Sequence, residues 1–272
     1  MQRRLSVPIA RPDLAQGGIT LKSSQELRLM REAGEVVAAV LELLVRSVQP
    51  GMRTRELDSI AAREIRRLGA RPSFKGYRGY PATICVSLNE EIVHGIPGDR
   101  AVREGDIVSL DVGAVVRGYH ADAAASVGAG ATTPEAERLM AATRQALERG
   151  IQQARPGNRV GDISRAVQEY AEGLGFGVVR EYVGHGIGRA LHEEPAIPNV
   201  GEVGKGPLLR PGMVIAIEPM LNLGGWATRT LEDGWTVVTA DGSLSAHFEH
   251  TVAITLDGPE VLTAVVGGPR HG

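Results

Sequence analysis

The sequence has little cysteine and no long apolar segment, and each shortage excludes a class of protein. Its 272 residues include a single cysteine, Cys85, which excludes an internal disulfide framework and any metal site built from several cysteines. No stretch approaches the roughly 20 apolar residues of a membrane-spanning helix. No apolar run of signal-peptide length precedes the prolines near the N terminus. We therefore expect a cytoplasmic protein.

A strong net charge is also missing. Lys and Arg total 30 against 32 Asp and Glu, which gives a formal net charge of −2, and bulk electrostatics therefore does not favour a nucleic-acid partner. Aromatic residues make up only 4% of the chain, whereas there are 35 glycines. This combination favours a turn-rich α/β protein with a loop-borne site over a helical bundle.

Helix signals divide the chain into two halves behind an N-terminal arm. Residues 1–22 have no periodicity and are expected to form a flexible arm, which leaves 23–272 as one domain. Ser23 and Glu26 have the capping-box spacing and predict the start of an amphipathic helix that ends before Pro50. The other predicted elements are helices over 54–68, 134–154 and 160–174, and strands over 83–88, 91–93, 106–116, 119–127, 178–182, 213–218, 235–239 and 247–256.

The second half of the chain repeats the pattern of the first. Pro-Gly at 50–51 and at 156–157 is followed each time by a helix of equal length that ends in Leu-Gly. Later, the apolar strand that ends in Asp111 corresponds to the strand that ends in Glu218, and His-x-acid recurs at Asp122 and Glu249. Such a repeat predicts two related half-domains about a pseudo-twofold axis, with the four acids together at its centre.

These four acids indicate a metal site. They belong to strands whose apolar composition predicts burial, and burying an unpaired carboxylate costs free energy. Four carboxylates that repel one another stay ionised when divalent cations lie between them, and two-metal sites hold their ions roughly 3.5–4 Å apart. His185, which lies among three glycines, would add an imidazole ligand. This ligand set suits Mn, Fe, Co or Zn.

Four further histidines accompany the predicted ligands. His94 and His192 lack the spacing of a helical zinc pair, so we expect them to contact substrate or to support the ligands. His120 and His247 each precede a predicted ligand by two residues. On a strand this places them on the ligand's face, where they would orient it.

The motifs together resemble type I methionine aminopeptidases. The segments that carry the resemblance are YPATICVSLNEEIVHGIP, SLDVGAVVRGYHADAA, GHGIGRALHEEP, AIEPM, and DGWTV followed by SLSAHFEHT. The similarity runs from about Ser23 to Leu256. It implies an α/β (α+β) pita-bread fold, in which two halves of helix pairs and β-hairpins surround a central curved antiparallel sheet.

The resemblance also implies an activity with assigned residues. The family removes the initiator methionine from nascent proteins whose second residue is small, and a water or hydroxide between two metal ions attacks the methionine carbonyl. Glu218 would carry the proton, while His94 and His192 would hold the scissile amide and stabilise the intermediate. The implied metal ligands are Asp111, Asp122, His185, Glu218 and Glu249, with Asp122 and Glu249 bridging.

An apolar pocket for the methionine side chain is implied as well. By position it would be lined by Tyr80, Cys85, Leu191 and Trp235, with Tyr77 at its rim. Four residues depart from the pattern of bacterial members and bear on the pocket's shape and on the support of the ligands, namely Phe74, Arg78, Leu191 and His247.

Partners and alternatives follow from the same resemblance. We expect a monomer that acts on nascent N-termini, contacts the ribosome near its exit tunnel, and binds neither membranes nor nucleic acid directly. One alternative is a proline-specific aminopeptidase of the same fold, which carries an extra N-terminal domain; a first helix near residue 24 leaves no room for it. The other is a non-catalytic ribosome- or RNA-binding relative, which would be expected to lose ligands, whereas all five stand here.

Overall fold

The structure, a computed structural model, describes residues 18–264. Within this range it contains four α-helices and fifteen strands. The helices are α1 (Ser24–Ser47), α2 (Thr54–Arg67), α3 (Pro134–Gln153) and α4 (Val160–Gly173). The strands are β1 (Arg71–Pro72), β2 (Cys85–Leu88), β3 (Glu91–Val93), β4 (Ile107–Val116), β5 (Tyr119–Gly128), β6 (Gly177–Val178), β7 (Gly184–Gly186), β8 (Glu193–Ile197), β9 (Val214–Ile217), β10 (Met220–Asn222), β11 (Thr228–Thr230), β12 (Val237–Thr239), β13 (Ser245–His247), β14 (Glu249–Thr255) and β15 (Gly258–Val261).

Both helix pairs lie where the sequence predicts them. The Ser23 hydroxyl accepts a hydrogen bond from the Glu26 amide, and the Glu26 carboxylate accepts one from the Ser23 amide, so the capping box is formed. The two Pro-Gly breaks also share one geometry, since Gly51 and Gly157 have φ of 91° and 92°. A residue with a Cβ rarely adopts this conformation, which explains glycine at both positions.

The central antiparallel sheet confirms the pseudo-twofold repeat. Its middle strands lie in the order β4-β5-β14-β9. The two inner strands carry Asp122 and Glu249, and the two outer strands carry Asp111 and lead directly into Glu218. Equivalent strands of the two halves therefore occupy equivalent positions about the contact between β5 and β14.

A tight turn sets the register of the first hairpin. Val116 pairs with Tyr119, and the two residues between them, Arg117 and Gly118, have φ of 48° and 84°. This is the pattern of a type I′ turn, whose twist matches the flanking strands. In this register Gly113 pairs with Asp122, so Asp111 and Asp122 are diagonal neighbours on one face.

The helices cover the face of the sheet opposite the acids. Leu110 belongs to the core that β4 forms with α1 and α2, and Ile217 belongs to the core that β9 forms with α3 and α4. Because successive side chains on a strand point to opposite faces, the adjacent Asp111 and Glu218 point away from these cores. Each half therefore delivers its acids to the face that the helices leave open.

The structure differs from the predicted pattern mainly in short strands. The strand predicted over 178–182 contains only the end of β6, and Trp235 lies before β12 rather than within it. The short strands β1, β7, β8, β10, β11 and β15 were not predicted, since several contain Gly or Pro and none is long enough to show an alternating pattern.

The end of the predicted arm is packed against the domain. The Lys22 amide donates to the Gly212 carbonyl at 2.7 Å, and the Lys22 side chain is buried. Residues 1–17 of that arm lie outside the described residues. None of the helices in the described part is long and apolar enough to cross a membrane.

Candidate active site

A cavity of about 790 Å³ lies on the open face of the sheet. Its size is that of a typical small-molecule site. All the residues proposed from the sequence as catalytic, substrate-binding or metal-ligating line it, namely Tyr77, Tyr80, Cys85, His94, Asp111, Asp122, His185, Leu191, His192, Glu218, Trp235 and Glu249.

Strand register brings the acids together at the floor of this cavity. Asp111 pairs with Ala124 on the neighbouring strand, and Ala124 pairs with Glu249 on the next, so the three lie in one row and face one way. Asp122 is two residues from Ala124 and shares that face. Glu218 directly follows Ile217, and Ile217 pairs with His250, the residue after Glu249. Glu218 and Glu249 are therefore also neighbours.

His185 presents an imidazole nitrogen to this cluster. Its Nδ1 lies 2.9 Å from the Gly186 carbonyl oxygen, which can only accept a hydrogen bond, so Nδ1 carries the proton. Nε2 then keeps its lone pair and lies 3.6 Å from Oε1 of Glu218. Asp122, His185 and Glu249 offer ligand atoms that all lie within 4.8 Å of one another. This tautomer is the one that a metal ligand requires.

The carboxylates fit a divalent cation. Burial raises the pKa of Asp111 to about 7. Burial, followed by repulsion between neighbouring acids, raises the pKa of Asp122, Glu218 and Glu249 well above the ordinary range. One oxygen each of Asp111, Asp122 and Glu249 is buried without a hydrogen-bond partner among the described residues. A bound cation would supply both the missing partner and the missing charge.

His192 is held by Tyr77 at the edge of the cluster. The Tyr77 hydroxyl lies 2.8 Å from Nδ1 of His192, and the two rings stack with centroids 5.3 Å apart. Burial, with smaller contributions from the charges of His185 and Arg78, lowers the pKa of His192 to about 2. His192 is therefore neutral at working pH.

His94 lies elsewhere in the cavity lining. Its ring contacts Tyr182 and Trp235 edge-on, at centroid distances of 5.8 and 6.5 Å. Burial lowers its pKa to about 4. Its φ of 61° is uncommon for a residue other than glycine.

The two histidines that precede ligands on their strands differ in placement. Nε2 of His247 is buried 3.9 Å from Oε2 of Glu218 and has no hydrogen-bond partner among the described residues, so the predicted role of His247 in orienting Glu249 stays a prediction. His120 instead forms a hydrogen bond with Ser73 at 2.9 Å and is not among the residues that line the cavity. Its predicted role in orienting Asp122 stays a prediction.

The cavity also has an apolar part. Tyr80 and Trp235 pack edge-to-face at 5.1 Å, and Cys85 and Leu191 are buried beside the same cluster. The single Tyr80 hydroxyl proton has the carbonyl oxygens of Ile84 and Gly95 within reach, at 3.1 and 3.0 Å, so the polar end of this side chain has hydrogen-bond partners. An apolar side chain of methionine's size would be well accommodated there.

Comparison with known proteins identifies the family. Residues 28–256 match metallopeptidase family M24. The chain belongs to metallopeptidase family M24. Membership in this family, together with the acid and histidine cluster, means that the protein is an enzyme that uses divalent metal.

Two relatives that match this chain over nearly their whole length are methionine aminopeptidases. Methionine aminopeptidase 1 of Bacillus subtilis is 53% identical, over 91% of this chain and 100% of that protein. The Clostridium perfringens enzyme is 51% identical, over 91% and 99% of the two chains. Both relatives thus match over nearly their whole length.

Solved structures confirm the pita-bread fold. The Thermotoga maritima methionine aminopeptidase is 46% identical, with a TM-score of 0.89 over 90% of this chain and 99% of that one. A prolidase from Pyrococcus furiosus is 23% identical, with a TM-score of 0.73 over 90% of this chain and 65% of that one, which shows a shared fold.

Some residues of this M24 site carry no signal in the sequence. Tyr182 and the strand Thr228–Thr230 line the cavity, and Lys22 forms an ion pair with Glu193 beside His192. Neither Tyr182 nor β11 has an equivalent in the first half of the chain, so the internal repeat could not indicate that they belong to the site. Lys22 and Glu193 are 171 residues apart, so only the fold reveals their contact.

Proposed function

We propose that this protein is a methionine aminopeptidase that removes the initiator methionine when the second residue is small. The observation that carries the proposal is the convergence of Asp111, Asp122, Glu218, Glu249 and His185 on the floor of one cavity that also has an apolar part. The methionine side chain occupies the apolar part, and its peptide carbonyl lies over the acids.

The same five residues would hold two divalent ions, Mn, Fe, Co or Zn, with Asp122 and Glu249 as ligands to both. The support is the three buried oxygens that have no hydrogen-bond partner among the described residues, and Nε2 of His185, whose lone pair faces the acids. When bound, the ions supply Lewis-acid polarisation of the carbonyl and a water of lowered pKa.

Glu218 carries the proton in this proposal. Its side chain is 14% exposed and lies between His185 and His247, so it reaches the space above the floor. From there its carboxylate can accept a proton from the attacking water and pass it to the departing amine.

His192 and His94 hold the peptide bond that is cut. Both are neutral, and Nδ1 of His192 lies 2.8 Å from the Tyr77 hydroxyl; the proposed role takes this hydroxyl as the donor, which leaves Nε2–H of His192 to donate to the substrate. A fixed donor of this kind stabilises negative charge that develops on the substrate oxygen.

The proposed substrates are the N-termini of nascent chains, and the protein is proposed to act on them as a monomer in the cytoplasm, near the ribosomal exit tunnel. A proline-specific activity is less favoured, since the relatives that match over their whole length are methionine aminopeptidases, whereas the prolidases from Pyrococcus are 22–23% identical. A non-catalytic RNA-binding role does not explain why every predicted ligand lines the cavity.

A peptide assay tests the function. The manganese-loaded protein should cleave Met-Ala-Ser at least about tenfold faster than Leu-Ala-Ser or Met-Leu-Ser, because the pocket fits methionine and the second residue must be small. Equal rates for Met-Ala-Ser and Leu-Ala-Ser would contradict the methionine preference. Absence of hydrolysis with all four metals, or preferential cleavage of Ala-Pro, would overturn the proposal.

A further inference from the structure

The two halves of the sheet meet along a short contact between β5 and β14. Its backbone ladder consists of two residue pairs, Ala124 with Glu249 and Ala123 with His250. The next residue of β5 in this direction is Asp122, which lies just beyond the last pair. The separation of the Asp122 and Glu249 carboxylates therefore depends on what holds Asp122 past the end of the ladder.

β14 changes its neighbour at the same point. From Val252 onwards it pairs with β15. The Thr251 amide donates to the Thr263 hydroxyl, and the Thr251 carbonyl accepts a hydrogen bond from the Leu262 amide. Continuing the register of the ladder places Thr251 opposite Asp122. The backbone groups of Thr251 are thus already engaged and do not extend the ladder to Asp122.

The side chain of Thr251 replaces the missing backbone partner. The Asp122 amide donates to Oγ1 of Thr251 at 2.9 Å, and the Thr251 hydroxyl donates to the Asp122 carbonyl at 2.8 Å. Thr251 is fully buried and is not among the residues that line the cavity. Its hydroxyl proton and one lone pair are used by the Asp122 backbone. Thr251 is therefore placed to hold Asp122 rather than to bind a ligand in the cavity.

The other end of the contact is closed in the same way. Oγ of Ser126 on β5 accepts a hydrogen bond from the His247 amide and donates one to the His247 carbonyl, both at 2.9 Å. His247 precedes Glu249 by two residues. At each end of the contact, a hydroxyl from one half of the molecule thus binds both backbone groups of a residue in the other half.

We propose that Thr251 and Ser126 are positioning residues for the metal centre. Their hydroxyls hold Asp122 and Glu249 at the separation at which both carboxylates bind the same two ions. This inference rests on the metal centre of the proposed function. It adds that the affinity for metal depends on two hydroxyls outside the cavity lining.

Loss of either hydroxyl should weaken metal binding. Buried backbone N–H and C=O groups that lose their partners cost free energy, so the strand shifts to find others, and the carboxylate that it carries moves with it. Groups that orient metal ligands typically change metal affinity by about 10- to 100-fold. Because these hydroxyls act through the backbone, we expect a change near the lower end of this range.

Calorimetric titration of the full-length protein with Mn²⁺, after a chelator has removed bound metal, measures the affinity. Thr251→Val keeps the shape of the side chain but removes the hydroxyl, and should raise the dissociation constant about tenfold. Thr251→Ser keeps the hydroxyl and should retain most of the affinity. Ser126→Ala should also raise the dissociation constant about tenfold.

Thr143→Val is the matched control for loss of a buried hydroxyl. Thr143 is fully buried, and its hydroxyl donates to the Leu139 carbonyl at 2.8 Å. It belongs to α3, which covers the face of the sheet opposite the acids. Its substitution should leave the manganese affinity unchanged.

Wild-type manganese affinity in Thr251→Val or in Ser126→Ala overturns the inference, and so does an equal loss of affinity in Thr143→Val. Each substitution decides by itself, so a variant that does not fold leaves the decision to the other. A wild-type protein that binds no manganese overturns both the inference and the proposed metal centre. A wild-type protein that binds manganese but does not cleave Met-Ala-Ser overturns the proposed activity alone.

Discussion

At the residue scale, the site depends on carboxyl groups that water cannot solvate. Asp122 and Glu249 are 5% and 2% exposed, and an oxygen of each lacks a hydrogen-bond partner among the described residues. Burial, with repulsion between neighbours, raises the pKa of both. Bound cations would stabilise the ionised forms, so metal loading should release protons.

Substitution of Glu218 should abolish most of the hydrolytic activity while leaving the stability of the fold almost unchanged. Glu218→Gln keeps the size of the side chain but cannot carry the proton, so hydrolysis of Met-Ala-Ser should fall by about 10²–10⁴-fold. The midpoint of urea unfolding should change little. Glu42→Gln, on the exposed side of α1, is the matched control and should keep full activity. Near-full activity of Glu218→Gln would remove it as the proton carrier.

The sequence allowed the acid cluster to be predicted because the repeat superposes Asp111 on Glu218 and Asp122 on Glu249. A buried strand that ends in a carboxylate is unusual, and its recurrence in the second half marks it. Thr228 and Tyr182 could not be predicted in this way, since an ordinary polar or aromatic residue gains its place in a cavity wall only through tertiary contacts.

At the element scale, a buried ion pair anchors the loop that carries His192. Nζ of Lys22 lies 2.7 Å from Oε2 of Glu193, and their side chains are 5% and 9% exposed. The other carboxylate oxygen accepts a hydrogen bond from the amide of Ala190. The segment before α1 therefore holds the turn between β7 and β8 in place.

Removal of the positive charge of Lys22 should destabilise this loop in a pH-dependent manner. Burial alone would raise the pKa of Glu193, but hydrogen bonds from Lys22 and Thr20 lower it overall. The pair therefore stabilises the fold above the ordinary carboxyl pKa, and this contribution is lost as the pH falls through the lowered value. Lys22→Met should cost about 2–4 kcal/mol of unfolding free energy at pH 7 and less at pH 4.

Urea unfolding at the two pH values measures this difference. Arg46→Gln, which breaks the exposed pair with Glu42, is the control and should cost less than about 0.5 kcal/mol. A cost for Lys22→Met that is the same at both pH values would show that lost packing, rather than charge, is responsible.

The elements that the sequence predicted well are those with local signals. The capping box at Ser23, the Pro-Gly breaks and the Arg117-Gly118 turn each specify a boundary within a few residues. The short strands β7 and β11 have no such signals, because three residues show no alternating pattern and form a strand only when another strand pairs with them.

At the scale of the whole molecule, the duplicated and unduplicated parts have different tasks. The duplicated strands β4, β5, β9 and β14 build the floor, and neither half supplies all four acids. The extra residues between β9 and the repeated His247 have no counterpart in the first half and include β10 to β12. They bring Trp235 to the site, so the symmetric floor gains an asymmetric wall.

The central claim is that acids from both halves share one pair of divalent ions. Anomalous diffraction from crystals soaked in manganese tests it most directly. Two anomalous peaks roughly 3.5–4 Å apart are expected among Asp111, Asp122, His185, Glu218 and Glu249. Manganese bound elsewhere, or no peak between the acids of the two halves, would contradict the account.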